Sequence, residues 1–395
     1  MHVCFLCHEY PPAPHGGVGS FVRTMARALA ARGHRVSVVG LNKIAERVEE
    51  DDQGVRVIRL PRSPLPGAGF VVHRARLRRA LLGLHRETPI DVLEGTEAGL
   101  ALLPKTFPAP RLIRMHGGHH FFSITLGGKA SPWRGWLEVR SFARAEHLCA
   151  VSNYVAETTR GLLGLGRRPV EILPNPVDLE LFRPAAAGSE EDGLLLFVGA
   201  VCEKKGVRQL VQAMPAIVAA APHARLRIVG RDTRDARTGR SFTAGLRELV
   251  PSDLEARVEF TGPVEHARLP ELLAQAQVCV YPSHMEAMPL AWLEGMAAGK
   301  AVVASRTGPG PEVIEHGVSG LLCDPHDPAS IAREVIRLLT DGELRRRLGR
   351  QARQRVAERF SVNTLIGRNE AFYQECARAG REAQSRRRRV GLLPA

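Results

Sequence analysis

Two glutamates eight positions apart, Glu286 and Glu294, lie in the segment Ser283-His-Met-Glu-Ala-Met-Pro-Leu-Ala-Trp-Leu-Glu-Gly295. Pro289 suits the first turn of a helix, so Glu286 falls in the preceding loop and Glu294 inside the helix. Eight residues of helix rise cover about 12 Å, too far for the two carboxylates to share one proton as an acid pair. Their separation suits binding instead, since each can accept hydroxyl hydrogens from a separate sugar. Between them Met288, Pro289 and Leu290 bring a helix N-terminus toward whatever anion joins the two sugars, and orphan N–H groups there favour a phosphate. Two sugars bridged by a diphosphate outline a nucleotide sugar. Ordinary surface carboxylates on a helix remain the alternative.

Three other loops carry polar or glycine-rich chemistry. Phe197-Val-Gly-Ala-Val-Cys-Glu-Lys204-Lys205-Gly206 runs from a strand into a helix. A lysine beside a helix start adds a full charge to the N–H groups, which suits a phosphate, although the G-x-x-x-x-G-K-[ST] order is absent. Pro12-Ala-Pro-His-Gly16-Gly17-Val-Gly19 occupies the same kind of turn near the N-terminus, with an incomplete G-x-G-x-x-G pattern because Val22 stands at its third place. Arg114-Met-His116-Gly117-Gly118 ends a strand, where a histidine could donate a hydrogen bond or act as general acid or base. His119 and His120 follow, but no cysteine or carboxylate at ligand spacing accompanies them, so no metal site is expected. A solvated lysine, a tight glycine turn and a strand-capping histidine are the simpler readings of these loops.

These loops need elements to hold them. Short apolar, β-branched runs at 2–7, 35–40, 55–60, 90–94, 111–115, 147–151 and 170–173 alternate with amphipathic runs at 18–32, 73–86, 133–145 and 152–163. After a polar stretch the pattern restarts, with strands at 194–199, 226–230, 257–260, 278–281, 301–304 and 320–323 and helices at 206–221, 267–276, 290–298 and 328–339. Apolar strands alternating with helices indicate parallel sheets covered on both faces, hence an α/β fold with two doubly wound, Rossmann-like domains. The expected division is 1–183, a linker at 184–193, a second domain at 194–360, and a strandless helical end with a basic tail at 361–395. Open parallel sheets bind ligands at the carboxyl ends of their strands, and all four loops follow strands. Two such sheets facing each other would form a cleft.

Composition narrows the class. The chain has 395 residues, 44% hydrophobic and 24% charged, the balance of a globular protein rather than a disordered one. No apolar run reaches the length of about 18 that a membrane-spanning helix needs. The N-terminal Met-His-Val-Cys-Phe-Leu-Cys lacks the basic start of a signal peptide, and seven scattered cysteines do not make a disulfide framework, so a cytoplasmic location is expected. The net charge of +14 is partly clustered, at Arg74, Arg76, Arg78, Arg79 and Arg86, in 345–359, and at Arg386, Arg387, Arg388 and Arg389. Such an excess attracts polyanions, and peripheral contact with an anionic membrane is expected; a solvated helix face is the other reading.

The spacing of Glu286 and Glu294 resembles the E-x7-E pattern of retaining GT-B glycosyltransferases, family 4. So do Ala297-Ala-Gly-Lys-Ala-Val-Val303, Pro311-Glu-Val-Ile314, Gly317-Val-Ser-Gly320, Arg32-Gly33-His34, Met115-His-Gly117, Pro174-Asn-Pro-Val-Asp178, Phe182-Arg-Pro184 and Lys205-Gly206, in the right order along nearly the whole chain. The resemblance implies transfer of a hexose-type sugar from a nucleoside-diphosphate sugar, with retention, by front-face substitution and without metal or cofactor. It implies that Glu286 binds the donor sugar, Glu294 the ribose, and Lys205 the diphosphate, and that His116 faces the reacting sugar. Gly16 and Gly17 would frame the acceptor side and approach the diphosphate on domain closure, and the terminal helices would cross back onto the first domain. The acceptor would be a glycan, a lipid-linked or a small molecule, not a nucleic acid. One departure stands out: Ala200 replaces an arginine that the family usually carries five residues before the diphosphate lysine, leaving Lys204 or Arg231 to substitute. A phosphorylase or hydrolase of the same fold, and a binding protein without transfer activity, are the competing functions.

Overall fold

The computed structural model describes residues 1–63, 69–186, 188–236 and 238–389. The chain forms two compact units, Met1–Pro176 with Val362–Ala395, and Val177–Ser361.

The first unit is built on β1 (His2–Leu6), β2 (Arg35–Asn42), β3 (Val48–Asp51), β4 (Val55–Pro61), β5 (Val92–Gly95), β6 (Arg111–Met115), β7 (His147–Ala150) and β8 (Glu171–Ile172). Their order is β3-β4-β2-β1-β5-β6-β7-β8. All described pairs are parallel except β3–β4. The antiparallel β3, Val-Glu-Glu-Asp, has no apolar run because it is a largely exposed edge strand. The helices are α1 (Gly17–Ala31), α2 (Gly69–Glu87), α3 (His119–Thr125), α4 (Pro132–Phe142) and α5 (Asn153–Leu163). α1 buries Phe21, Val22, Met25, Ala26 and Leu29, an i, i+4, i+8 stripe, against Val3, Phe5, Val36 and Val38. The C-terminal helix (Val362–Arg389) belongs to this unit and adds Ile366, Tyr373, Cys376 and Ala377 to the same core. It is fastened by Arg114, fully buried, whose guanidinium donates to both Glu94 oxygens at 2.9 and 3.1 Å and to Asn369 Oδ1 at 2.8 Å. Tyr373 Oη completes the network by donating to Glu94 at 2.8 Å.

The second unit has an all-parallel sheet of β9 (Leu194–Val198), β10 (Arg225–Val229), β11 (Val258–Gly262), β12 (Val278–Tyr281), β13 (Ala301–Ser305) and β14 (Leu321–Cys323), ordered β11-β10-β9-β12-β13-β14. Its helices are α6 (Val207–Ala220), α7 (Phe242–Arg247), α8 (Leu269–Gln275), α9 (Leu290–Ala297), α10 (Gly310–Val313), α11 (Pro328–Thr340) and α12 (Gly342–Arg359). α11 starts where Asp327 caps the N–H of Ala329 and Pro328 occupies the first helical position. The basic run of α12 is not all solvated: Arg353 donates to the carbonyls of Phe182 and Ala297, and Arg355 to that of Val313.

The linker expected at 184–193 is instead part of the second unit, and the break falls at Pro176. Its acidic residues are ion-pair partners: Glu190 takes the Lys300 ammonium at 2.8 Å and Glu191 the Arg225 guanidinium at 2.6 Å. The N–H of Gly193 donates to Gln277 Oε1 at 3.0 Å. A polar stretch that reads as a spacer is polar because its side chains and backbone bond to its own domain.

Among the parallel strands of each sheet the order reverses once, between β1 and β5 and between β9 and β12. At such a switch point the loops leave the carboxyl ends of neighbouring strands in opposite directions and open a crevice for a ligand. The loops in question follow β1 and β5 in one unit, and β9 and β12 in the other.

Candidate active site

The loops after β9 and β12 carry Lys204, Lys205 and Glu286. Lys205 Nζ lies 2.5 Å from Glu286 Oε1, so the switch point of the second sheet is closed by an ion pair between two groups 81 residues apart in sequence. Two features fix the approach. The N–H of His284 donates to the Lys204 carbonyl at 2.8 Å, tying the two loops together. Gly206 adopts φ +66° with the Pro282 carbonyl pressed against it, 1.8 Å from where a Cβ would sit. Only glycine allows both the turn and that contact.

Glu286 is 7% exposed. Burial alone would push its carboxyl up, but Lys205 and then Lys204 outweigh it and hold the group below the usual carboxylate range. Lys204 is pulled down, first by burial and then by Lys205, with Glu286 opposing. Glu286 thus acts electrostatically on Lys204, one of the two residues that could substitute for the arginine absent at Ala200. Arg231, just beyond β10, is exposed, and its carbonyl accepts from the Val201 N–H at 2.9 Å.

Pro289 is the N-cap of α9, one position outside the helix, and Leu290 is its first residue. Met288 is 6% exposed. Glu294, on the first turns of α9, is 7% exposed, and His266 Nε2 stands 2.8 Å from its Oε1 as donor. His266 is held in turn by Phe182, edge-on at 5.4 Å. Lys205 and Glu286 are thus brought into contact, while Glu294 has a separate partner.

In the first unit, Gly16 is the N-cap of α1 and Gly17 its first residue. The end of that helix already has an anion of its own: Glu9, in the loop after β1, accepts the Gly19 N–H at 2.9 Å. His116 packs on Phe21 with ring centroids 4.9 Å apart. Burial, reinforced by Arg114, pushes its imidazole down to about 3. Burial therefore favours its neutral form, which suits hydrogen bonding. His119 is engaged by Ser123 and by the Ser131 N–H, and His120 by Glu138. Among the described residues no group of three or more His, Cys, Asp or Glu side chains could hold a metal ion.

Beside His116 lies Glu97, in the loop after β5 and 5% exposed, with Oε1 buried and without a hydrogen-bond partner. Burial, with the nearby Glu138 carboxylate, pushes its carboxyl up to about 8, against the lowering effect of the His116 and Gly117 N–H groups. Gly118 makes room for both acids: a Cβ there would meet Glu138 Oε1 at 1.8 Å and Glu97 at 2.8 Å. Glu9, Glu97 and His266 carry no sequence signal of their own. The available pointer is position, since Glu9 and Glu97 follow the two strands that flank the switch point.

Comparison with known proteins agrees with this arrangement. The family description "Glycosyltransferase Family 4" matches residues 15–181, and "Glycosyl transferases group 1" matches residues 180–355. The chain is 28% identical over 419 residues to a glycogen synthase of Mycobacterium tuberculosis, covering 98% of this chain and 97% of that one. Sucrose-phosphate synthase from Thermosynechococcus elongatus superposes with a TM-score of 0.79 at 24% identity, covering 96% of this chain and 99% of the other. Anabaena HepE, in complex with UDP and glucose, superposes with a TM-score of 0.74 at 18% identity, covering 95% and 100%. The two family matches meet at residues 180–181, a few residues after the break at Pro176, and the chain belongs to glycosyltransferase family 4, group 1 type, a sugar-transferring enzyme of GT-B fold.

Proposed function

We propose that this enzyme moves a hexose-type sugar from a nucleoside-diphosphate sugar to a glycan, lipid-linked or small-molecule acceptor, with retention of configuration and without a metal, in the synthesis of cell-surface polysaccharide or glycoconjugate. The observation that carries the reading is the Lys205–Glu286 pair at the switch point of the second sheet, with Glu294 eight residues further on, inside α9, and the N-terminus of that helix between them. The HepE structure, which holds UDP and glucose, supports the donor class.

The chemistry follows from what each group offers. Without donor, Lys205 and Glu286 neutralise each other. A diphosphate would take over the Lys205 ammonium, and sugar hydroxyls would donate to the freed Glu286 oxygens, so each group exchanges one charged partner for another of the right kind. Lys204 adds a second positive charge where Ala200 adds none. Glu294 would accept from the ribose, with His266 steering its carboxylate. As the sugar–phosphate bond breaks, negative charge grows on the leaving diphosphate, and preorganised cations at that place supply the largest protein contribution. Neutral His116 would hydrogen-bond the transferred sugar. The seven cysteines are free, consistent with a reducing cytoplasm.

The test is calorimetric titration with UDP, GDP and ADP, then with the corresponding glucose and mannose donors, in the presence of EDTA. One nucleotide should bind clearly better than the others and its sugar form better still. Binding of none of them, or only after adding Mg²⁺ or Mn²⁺, would contradict the reading. Release of free sugar at the full catalytic rate with no acceptor present would favour the hydrolase alternative.

A further inference from the structure

Six of the ten exposed large apolar side chains of the described residues lie on neighbouring segments of the first unit: Val71, Ile124, Leu126, Trp133, Trp136 and Val139. Scattered exposed apolar residues need no explanation, but a contiguous group marks a contact surface. α4 has two faces. Gly135, Glu138, Ser141 and Phe142 point inward; Trp133, Trp136 and Val139 are 54%, 44% and 52% exposed. The two tryptophan rings stack, 5.1 Å apart and 16° from parallel. Phe70, at the start of α2, lies 5.7 and 5.9 Å from them. The Arg140 guanidinium covers Trp136 at 5.2 Å and Phe70 at 5.8 Å. Val71 follows Phe70 at 69% exposure, and α3, which packs on α4, carries exposed Ile124 in its last turn with Leu126 just beyond it.

The charge around this apolar surface has one sign. Residues 69–86 contain five arginines and no acid, and Arg74 and Arg78 share an exposed helix face with Val71. Residues 119–140 contain Lys129, Arg134 and Arg140, and their single acid, Glu138, is buried.

We propose that the outer faces of α4 and the first turns of α2 dock on an anionic phospholipid surface, with Trp133, Trp136, Val71 and Val139 in the headgroup–acyl boundary and Arg74, Arg78 and Arg134 on lipid phosphates. Amphipathic tryptophans beside uncompensated arginines match both layers of such an interface. A second copy of this chain fits poorly, because a two-fold contact sets the same patch against itself and brings like charges together. A nucleic acid would use the arginines but leave the aliphatic side chains without a partner, and the tryptophans stack on each other rather than offering free faces to bases. The arginine run 386–389 falls outside the residues whose side chains are described. The inference rests on the proposed transfer function and narrows its acceptor to a lipid-linked one. α4 also connects the patch to the site: Glu138 on its inner face accepts the His120 N–H at 2.9 Å, in the segment that leaves His116.

The experiment is co-sedimentation of the full chain with vesicles of phosphatidylglycerol and phosphatidylcholine in equal parts, against pure phosphatidylcholine, at low and high salt, with tryptophan emission as a second readout. Trp292 is buried, so a blue shift reports Trp133 and Trp136. Wild type should sediment with the anionic vesicles at low salt and shift blue. Trp133→Ser/Trp136→Ser should lose at least tenfold in partition, and Arg74→Glu/Arg78→Glu a similar amount, since each charge near such a surface is worth about fivefold. Arg346→Glu/Arg347→Glu, equally basic but on the second unit, should partition like wild type. No sedimentation at low salt, full binding by the tryptophan variant, an equal loss in the Arg346→Glu/Arg347→Glu control, or displacement by a single-stranded oligonucleotide would each overturn the proposal. Nucleotide titration of the same variants keeps the two readings apart: unchanged nucleotide binding with lost vesicle binding supports docking, whereas wild type that binds vesicles but no nucleotide would refute the transferase reading alone.

Discussion

Removing the Lys205 ammonium should separate stability from catalysis. In the unliganded enzyme Lys205→Ala leaves Glu286, 7% exposed, without its ion-pair partner. Stranding a buried charge typically costs about 3–5 kcal/mol. Two features reduce that: Lys204 stays close to Glu286, and the Lys205 side chain is 23% exposed, so water already screens part of the pair. We expect a loss of about 1–2 kcal/mol in unfolding free energy. The catalytic loss should be larger, because a preorganised donor facing a developing oxyanion is worth about 10²–10³ in turnover, or about 2.7–4 kcal/mol. The double variant Lys205→Ala/Glu286→Gln removes both charges. It should recover most of the stability while turnover stays at or below the level of the single lysine variant. The assay pairs urea unfolding with kcat and kcat/KM on one active donor. Turnover of Lys205→Ala within about threefold of wild type, far short of the loss of a preorganised donor, would refute the diphosphate role. Equal stability of the single and double variants would refute the coupling. Lys204→Ala, which removes the second positive charge acting on Glu286, should also lose turnover, by about tenfold or more, whereas Arg231→Ala, at an exposed position, should lose little.

Other expectations follow from single contacts. Glu294→Ala should weaken both free nucleoside diphosphate and intact donor, and His266→Ala should do the same more mildly; Glu286→Gln should weaken the intact donor yet leave nucleoside diphosphate affinity unchanged or higher, because Lys205 is released, and equal losses in calorimetry would refute the division. Glu97 is raised to about 8 in the fold, against about 4.3 for a free carboxyl. Its neutral form is thus the one the fold stabilises; that contribution is complete below about pH 4.3 and drains away as pH rises through 8. Glu97→Gln should therefore gain stability over wild type as pH rises from 5 to 9, up to a few kcal/mol, and a pH-independent difference in thermal unfolding would contradict this. Tyr373→Phe removes the donor to Glu94 inside a fully buried network and should cost about 1–3 kcal/mol in urea unfolding, with no change there if the network is incidental. Product NMR should find the donor's anomeric configuration kept, with turnover insensitive to EDTA; an inverted linkage would exclude the proposed stereochemistry.

Much of this arrangement is legible in the sequence because apolar runs and loop residues are local signals. The strands β9, β12, β13 and β14 read directly as short apolar runs, and β10 does so despite Arg227 in its middle; Lys205-Gly206 and Glu286 read as loop chemistry after two of them. What the sequence does not carry is contact between distant residues. The pairing of Lys205 with Glu286 depends on strand order, which places β9 beside β12. Glu97 looks like any loop glutamate until Gly118 and Glu138 close over it. The edge strand β3 has no apolar pattern, the short α3 and α7 lack the length for a clear period, and 184–193 looks like a spacer because its ion-pair partners lie 34 to 110 residues away. The patch on α4 is hidden for the opposite reason: tryptophans at helical spacing normally read as core, and only burial tells which face is outside.

The most direct test of the central claim, that the donor diphosphate lies at the switch point of the second sheet, is hydrogen exchange with and without the best-binding nucleoside diphosphate. Slowed exchange should concentrate in peptides covering 199–207 and 282–294, and Lys205→Ala should abolish the protection at the same ligand concentration. Protection of other segments of the second unit, with these two unchanged, would contradict the account.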